Sequence, residues 1–177
     1  LRLKILALKK STNPEKLIED TTSQLKHINR QIRVVSHRLS PLEMQMSHQK
    51  FTNVIKSRLS EFHLYGKVFV ELNELLPEVL NSLEITIQNN FYGILLEILN
   101  NIEKHSHATK LNIHHSIDKD KRLNFIFTDN GIGIGTHFIE GIGLLNIRQR
   151  CEIINGTCTI SKVDSGTQVT ISFPIKN

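Results

Sequence analysis

Apolar residues in the first third of the chain recur with the spacing of helices. A seam of such positions repeats every seven residues at Ile18, Leu25, Ile32 and Leu39. It is only about three heptads long, which favours an antiparallel helical hairpin over a long coiled coil. Pro41 ends or kinks this seam, because proline removes a backbone donor and clashes with the preceding turn. A further helix is predicted to begin near Phe51 and to run to Gly66.

After Gly66 the pattern changes to strands that alternate with helices. Strands are predicted at 67–72, 110–117, 123–128, 157–163 and 167–173, and helices at 77–82, 88–106 and 144–154. A glycine-rich loop covers 130–143. The predicted fold class is therefore α+β, with a helical hairpin in residues 1–65. An α/β sandwich follows in residues 66–177, with helices on one face of a mixed sheet.

Composition and charge narrow the functional classes. The 177 residues suffice for one domain with a substantial core and a smaller segment. The net charge of +5 comes entirely from the first 65 residues, and no nucleic-acid-binding motif is found there. We therefore expect these charges to lie on a solvated helix face, and we expect no nucleic-acid partner. Two cysteines cannot build a disulfide framework, which favours a reducing, cytoplasmic location. No apolar run approaches the ~20 residues of a membrane span, and we expect membrane attachment only through segments upstream of Leu1.

Three polar motifs follow one another in the second part of the chain. On the long predicted helix, spacings of four, seven and eight residues place four polar side chains on one side, at Glu97, Asn101, Lys104 and His105. A carboxylate, an amide and two cationic or donor groups in one column suit a metal ion and a polyphosphate.

The other two motifs are glycine-rich. The first of them follows an apolar strand and reads Asp129-Asn130-Gly131-Ile132-Gly133. Its carboxylate can accept a hydrogen bond from the amino group of a base, and its glycines let a ligand approach the backbone. Gly141-Ile142-Gly143-Leu144 opens a helix, whose N-terminal amides and dipole favour phosphate. The spacing is not that of a Rossmann motif, and no Walker sequence is present.

In their order and spacing these motifs resemble the ATP-binding domain shared by gyrase, heat-shock chaperones, mismatch-repair proteins and histidine kinases. Residues 97–105 resemble the N box, residues 129–133 the G1 box and residues 141–144 the G2 box, while Gly166-Thr167 resembles the late Gly-Thr of the adenine pocket. The short lid and residues 143–150 resemble sensor histidine kinases of the branch related to nitrate and membrane-fluidity sensors. Residues 1–65 resemble part of the kinase dimerisation and phosphotransfer helices.

The resemblance implies ATP and Mg²⁺ as cofactors and a role for each matched residue. Asn101 would ligate Mg²⁺, Lys104 would meet phosphate, and His105 would line the phosphate or ribose edge. Asp129 would bind the adenine amino group with support from Thr167. Glu97 matches the water-activating base of the hydrolytic relatives, which makes it the candidate catalytic residue. The remaining nucleotide-binding positions are Gly131, Gly133, Gly141, Gly143 and Leu144.

The family chemistry is in-line transfer of the γ-phosphoryl group to a histidine, followed by relay to a response regulator with an aspartate receiver domain. In this branch the acceptor histidine is followed by an acidic residue, and no such pair occurs in this chain. His37 is the nearest candidate, but Arg38 stands in place of the acid and Pro41 follows within a turn. We expect His37 to be a helix-face residue and the acceptor to lie upstream of Leu1, so that this chain alone does not phosphorylate itself. A homodimer is expected for the full-length protein.

Two alternatives remain at this stage. The nucleotide fold could serve an ATPase or a serine-kinase switch, although such switch proteins generally lack a heptad hairpin before the N box. Alternatively, the domain could be an interaction module that needs no nucleotide, which the complete set of Asn101, Asp129 and glycines disfavours. Binding of ATP with Mg²⁺ distinguishes this module from the other two.

Overall fold

The computed structural model describes Thr22, residues 50–134 and residues 141–175. The chain divides into two compact units, Leu1–Met44 and Gln45–Asn177, and all of the described residues except Thr22 belong to the second. The predicted hairpin seam, Pro41 and His37 lie outside the described residues. Within the described part, no helix is both long and apolar enough to cross a bilayer.

The described residues of the second unit form four α-helices, one π-helical turn and a five-stranded sheet. The helices are α1 Phe51–Gly66, α2 Pro77–Ser82, α3 Ile85–Asn101 and α4 Ile142–Ile153. The strands are β1 Phe69–Leu72, β2 Lys110–Ile117, β3 Arg122–Asp129, β4 Thr157–Lys162 and β5 Thr167–Pro174. The sheet order is β1-β2-β3-β5-β4, with β1 parallel to β2 and every other neighbouring pair antiparallel. The predicted mixed sheet is confirmed.

One face of the sheet forms the core. Buried and more exposed residues alternate along β3, where Leu123, Phe125, Phe127 and Asp129 all point to the buried side. Phe91 of α3 packs on this face, with ring centroids 4.4 Å from Phe125 and 5.5 Å from Phe173. The same alternation that builds the core therefore carries the carboxylate of Asp129 to the buried face at the end of β3.

Helix α1 belongs to the second unit. Its apolar side is buried at Phe51, Val54, Ile55, Leu59 and Phe62. The ring of Phe51 lies 6.4 Å from that of Phe91 in an edge-to-face arrangement, which joins α1 to the main core. The apolar stripe of α1 is thus buried on residues that follow it in the chain, and the boundary expected between residues 65 and 66 stays a prediction.

The long helix changes its hydrogen bonding near its end. The α-helix stops at Asn101, and a single π-helical turn, Ile102–Ser106, continues the chain to His107 in the left-handed region. A π turn is wider than an α turn, so the side chains after Asn101 no longer follow the column expected for one continuous helix. This turn corrects the prediction of a single helix over residues 88–106.

Three buried titratable side chains, one imidazole and two thiols, belong to the scaffold. His115 on β2 is buried, its Nδ1 lies 2.8 Å from Asn73 Oδ1, and its ring stacks on Phe125. Burial lowers the pKa of the His115 imidazole, with a further contribution from His114. Cys151 on α4 and Cys158 on β4 are both buried thiols. A hydrogen bond with Cys158, together with burial, raises the pKa of the Cys151 thiol well above its usual range.

Candidate nucleotide-binding site

A cavity of about 470 Å³ lies between the end of α3, the start of α4 and strands β3 and β5. Its volume falls in the range of sites for small ligands. Its apolar lining is Ile98, Ile102, Phe127, Ile134, Ile142, Leu144, Ile160 and Val169. Its other lining residues are Asn101, His105, Ser106, Asp129, Gly133, Gly141, Gly143 and Thr167. Apolar walls with a few polar groups suit a planar base with a polar edge.

Asp129 is the one buried carboxylate among the lining residues that the structure describes. It is only 5% exposed, and its Oδ1 accepts a hydrogen bond of 2.8 Å from the backbone N–H of Gly131. Burial raises the pKa of the Asp129 carboxyl, while backbone N–H groups of Gly131 and Thr167 donate to it and act in the opposite direction. These donors hold the carboxylate in a fixed orientation, which leaves acceptor capacity for a ligand N–H group.

Two glycines let backbone segments meet around Asp129. A Cβ atom on Gly131 would lie 2.1 Å from the carbonyl oxygen of Ser106, and one on Gly166 would lie 1.8 Å from the carbonyl oxygen of Asp129. Gly166 also has a φ of +104°, which L side chains rarely adopt. Thr167 follows directly, so this close approach brings its amide to the Asp129 carboxylate.

The π turn sets which side chains of the N-box motif reach the cavity. Asn101, His105 and Ser106 line it, whereas Lys104 is exposed and outside the lining. The Ser106 hydroxyl donates to the carbonyl of Ile102 at 2.9 Å, and the Ser106 carbonyl accepts from the N–H of Ile132 at 2.8 Å. The turn is therefore tied to the glycine-rich loop. The predicted contact of Lys104 with phosphate stays a prediction.

The start of helix α4 forms the opposite side of the opening. Gly141, Gly143 and Leu144 line the cavity, so the positive end of the helix dipole faces it. A Cβ atom on Gly143 would lie 3.3 Å from both Asn101 Oδ1 and Glu97 Oε2, which shows how closely α4 approaches α3. One turn further, Asn146 Nδ2 donates to Glu97 Oε1 at 3.1 Å.

Eight of the eleven predicted site residues line the cavity. The three that stand outside its lining in the described part are Glu97, Lys104 and Gly131. Glu97 contacts Asn146 instead, and Gly131 supports Asp129 from behind. The predicted site residues include neither Ser106 nor Asn146, and Leu144 is the one member of the apolar walls among them. The walls had a signal in the alternation of the strands, since Phe127 and Asp129 share one face, as do Thr167 and Val169.

The residues present fit a magnesium nucleotide. The buried carboxylate, the apolar walls and the helix N-terminus supply separate surfaces for a base and for phosphates. Among residues 50–134, residues 141–175 and Thr22, no group of three or more His, Cys, Asp or Glu side chains could hold a metal ion. A Mg²⁺ ion at this site would depend on the Asn101 amide oxygen together with phosphate oxygens and water, since Mg²⁺ takes oxygen ligands and keeps several waters beside substrate phosphates.

Comparison with known families decides the assignment. The family model described as histidine kinase-, DNA gyrase B-, and HSP90-like ATPase matches residues 86–177, just over half of the chain. The chain belongs to this ATPase family. The matched region contains every residue of the candidate site, and the family supports ATP as the ligand of the cavity.

Curated relatives of this ATPase domain are sensor kinases. The chain is 31% identical over 146 residues to the signal transduction histidine-protein kinase/phosphatase UhpB of Salmonella typhimurium, covering 81% of this chain and 28% of that protein. It is 27% identical over 181 residues to the nitrate/nitrite sensor protein NarQ of Escherichia coli, covering 98% of this chain and 31% of that protein. The chain thus spans less than a third of the length of these two relatives.

Solved structures share the fold. The histidine kinase AdeS of Acinetobacter baumannii superposes with a TM-score of 0.60 at 20% identity, covering 99% of this chain and 97% of that chain. The histidine kinase domain of a blue-light activated kinase from Erythrobacter litoralis superposes with a TM-score of 0.61 at 13% identity, covering 98% of this chain and 91% of that chain. The predicted α+β fold and the resemblance to sensor histidine kinases with this type of ATPase domain are both confirmed.

Proposed function

We propose that this chain is the catalytic portion of a sensor histidine kinase, which binds Mg²⁺-ATP in the cavity and presents the γ-phosphoryl group to a histidine. The observation that carries the proposal is the Asp129 carboxylate. It is buried beside apolar walls, held by two backbone amides, and lies in the same cavity as the N-terminus of α4. The family match and the sensor-kinase relatives support this assignment.

The adenine end of the site is formed by Asp129 and the strands. The Asp129 carboxylate accepts a hydrogen bond from the exocyclic amino group of adenine, and Thr167 supports it through its backbone amide. A guanine base would present a carbonyl oxygen at that position, opposite a carboxylate that cannot donate. The site therefore favours ATP over GTP.

The phosphate end is formed by α3, its π turn and α4. Asn101 ligates Mg²⁺, and His105 and the N-terminus of α4 contact the phosphates, with Lys104 reaching them from the exposed side of the turn. Gly133, Gly141 and Gly143 allow close approach of the backbone. Bound Mg²⁺ neutralises charge on the phosphates. These residues act by positioning the triphosphate, which is how phosphoryl transfer is mainly catalysed.

The acceptor and the partners complete the proposal. None of the nine histidines is followed by an acidic residue, so we place the acceptor outside residues 1–177 and expect no phosphorylation of this chain at a native site. Residues 1–65 supply part of the dimerisation helices of a homodimer, and the phosphoryl group passes to a response regulator. A cytoplasmic location agrees with the two buried thiols.

Calorimetric titration with a non-hydrolysable ATP analogue, with and without Mg²⁺, tests the proposal. The chain is expected to bind with a dissociation constant in the micromolar range, more tightly with Mg²⁺. Asp129→Asn is expected to weaken binding at least about tenfold, because a hydrogen bond to a buried charged group is lost. Asp120→Asn makes the same chemical change in the exposed turn between β2 and β3 and is expected to leave affinity unchanged.

The outcomes separate the alternatives. Absence of binding in the unmodified chain contradicts the kinase assignment and favours a nucleotide-independent interaction module. Equal binding by the chain and by Asp129→Asn contradicts the placement of adenine. A separate assay with hydrolysable ATP tests the remaining alternative, since turnover to ADP and phosphate without any phosphorylated protein favours an ATPase.

A further inference from the structure

One side chain outside the cavity lining connects the two helices that form its opening. Asn146 lies on the second turn of α4, is only 8% exposed, and donates from Nδ2 to Glu97 Oε1 of α3 at 3.1 Å. The two residues are separated by 49 positions in the chain, so this hydrogen bond is a tertiary contact. Asn146 Oδ1 is buried without a hydrogen-bond partner. Because a buried amide with one unmet acceptor is unfavourable, its presence calls for a reason beyond packing.

The surroundings of Glu97 suggest that reason. While Oε1 is held by Asn146, Oε2 faces Gly143, where a Cβ atom would lie 3.3 Å from it. Asn101 Oδ1 is equally close to the same point. Both oxygens of the half-buried Glu97 carboxylate therefore lie close to α4, and the first turn of α4 approaches Asn101 as closely.

We propose that Asn146 is a positioning residue, which fixes the Glu97 carboxylate against α4 and thereby sets the distance between Asn101 on α3 and Gly143 on α4. Asn101 and Gly143 both line the cavity, whereas Asn146 and Glu97 lie outside its lining and are joined by their hydrogen bond. The inference rests on the proposed function, since its consequence is the affinity for Mg²⁺-nucleotide. Changing an amide with only a structural role would lower stability alone, whereas changing a positioning residue would also lower nucleotide affinity.

The decisive variants exchange donor and acceptor. Asn146→Asp keeps the shape of the side chain but places a second carboxylate at hydrogen-bond distance from Glu97, so the two groups repel. In the double variant Glu97→Gln with Asn146→Asp, the amide at position 97 donates to the carboxylate at position 146. The number of carboxylates in the double variant is the same as in the unmodified chain. Restored binding would therefore report the hydrogen bond and not the net charge.

Asn90 provides a matched control on the same helix. It is also buried, its Nδ2 donates to the carbonyl of Thr86 at 2.8 Å, and its Oδ1 is likewise unpartnered. It lies about two turns before Glu97 and outside the cavity lining. Asn90→Asp is thus expected to lower the melting temperature without changing nucleotide affinity.

The affinity of each variant for a non-hydrolysable ATP analogue with Mg²⁺ is measured by calorimetry below its melting temperature. We expect Asn146→Asp to weaken binding about tenfold, Glu97→Gln less than about threefold, and the double variant to return to within about threefold of the unmodified chain. If Asn146→Asp does not fold, Asn146→Ala replaces it, with an expected loss of about fivefold against less than twofold for Asn90→Ala.

The proposal is overturned if Asn146→Asp binds as tightly as the unmodified chain. It is also overturned if the double variant binds as weakly as Asn146→Asp. For the alanine pair, equal affinities of Asn146→Ala and Asn90→Ala overturn it. Failure of the unmodified chain to bind at all is a different result, because it contradicts the proposed function before any variant is compared.

Discussion

Gly166 is the position where a single added methyl group is expected to damage fold and site together. Its φ is +104°, it is buried, and a Cβ atom there would lie 1.8 Å from the carbonyl oxygen of Asp129 and 2.9 Å from the backbone nitrogen of Gly131. Real Cβ contacts are essentially never below 3.0 Å, so the two backbone segments would have to separate by about 1 Å. Backbone at this φ adds strain of about 1–3 kcal/mol for a non-glycine residue.

The expected magnitude follows from these two effects. Strain and overpacking together are expected to lower the free energy of unfolding of Gly166→Ala by about 2–4 kcal/mol. For a domain of this size, this corresponds to a decrease in melting temperature of roughly 10 °C. A shift of about 1 Å also moves the Thr167 amide relative to the Asp129 carboxylate, and misplacement of this size reduces binding by about tenfold or more.

Thermal unfolding and calorimetric titration measure the two effects. Gly66→Ala is the matched control, because Gly66 ends helix α1, has no positive φ, and would place its Cβ atom 3.4 Å from the Phe62 ring. Alanine is a better helix residue than glycine, so this control is expected to keep or raise stability by up to about 1 kcal/mol and to leave affinity unchanged. The expected decrease is well above roughly 2 °C, the precision of the assay. A melting temperature of Gly166→Ala within about 2 °C of that of the unmodified chain would therefore contradict the strain and overpacking expected at this position.

Two further predictions concern buried titratable groups. Burial lowers the pKa of the His115 imidazole in the folded chain below its value of about 6.5 in the unfolded chain. As the pH falls below about 6.5, the unfolded chain therefore binds a proton at this residue more readily than the folded chain, and the free energy of unfolding decreases. Urea unfolding measures the decrease in the free energy of unfolding between pH 7.5 and pH 5.5. This decrease is expected to be smaller for His115→Gln than for the unmodified chain or for the exposed His114→Gln, and equal decreases in all three proteins would contradict the role of His115. The raised pKa of Cys151 and the burial of both thiols predict that a maleimide reagent does not modify Cys151 or Cys158 in the native domain at neutral pH but modifies both in urea. Rapid modification of the native domain, followed by mass spectrometry, would show that the two thiols are not held as described.

The elements of the domain could be predicted because their residues repeat with clear periods. Strands β2 and β3 were expected within one residue of where they lie, since apolar positions alternate along both. The order of the three polar motifs, together with the family resemblance of Gly166-Thr167, also placed Asn101, Asp129 and Thr167 in one site, and the cavity brings them together. Such features depend on local pattern and on motif spacing, both of which a sequence displays.

Other features depend on contacts between distant residues. The π turn after Asn101 has no marker in the sequence, because it forms where Ser106 meets the Gly131–Ile132 loop. The hydrogen bond between Asn146 and Glu97 joins two helices whose relative placement no periodicity specifies. The packing of helix α1 is of the same kind, because its amphipathic pattern gives the side that is buried but not the partner that buries it.

Everything proposed for this chain depends on the binding of ATP in the cavity between α3 and α4, with adenine at Asp129. Two-dimensional amide NMR of the isotope-labelled chain, titrated with a non-hydrolysable ATP analogue and Mg²⁺, reports this binding residue by residue. The largest shifts are expected at the amides of Gly131, Gly133, Gly143 and Thr167, and negligible shifts at the exposed Asn112 on β2. Shifts that are absent at saturating nucleotide, or that cluster around Asn112, would show that ATP does not bind in this cavity.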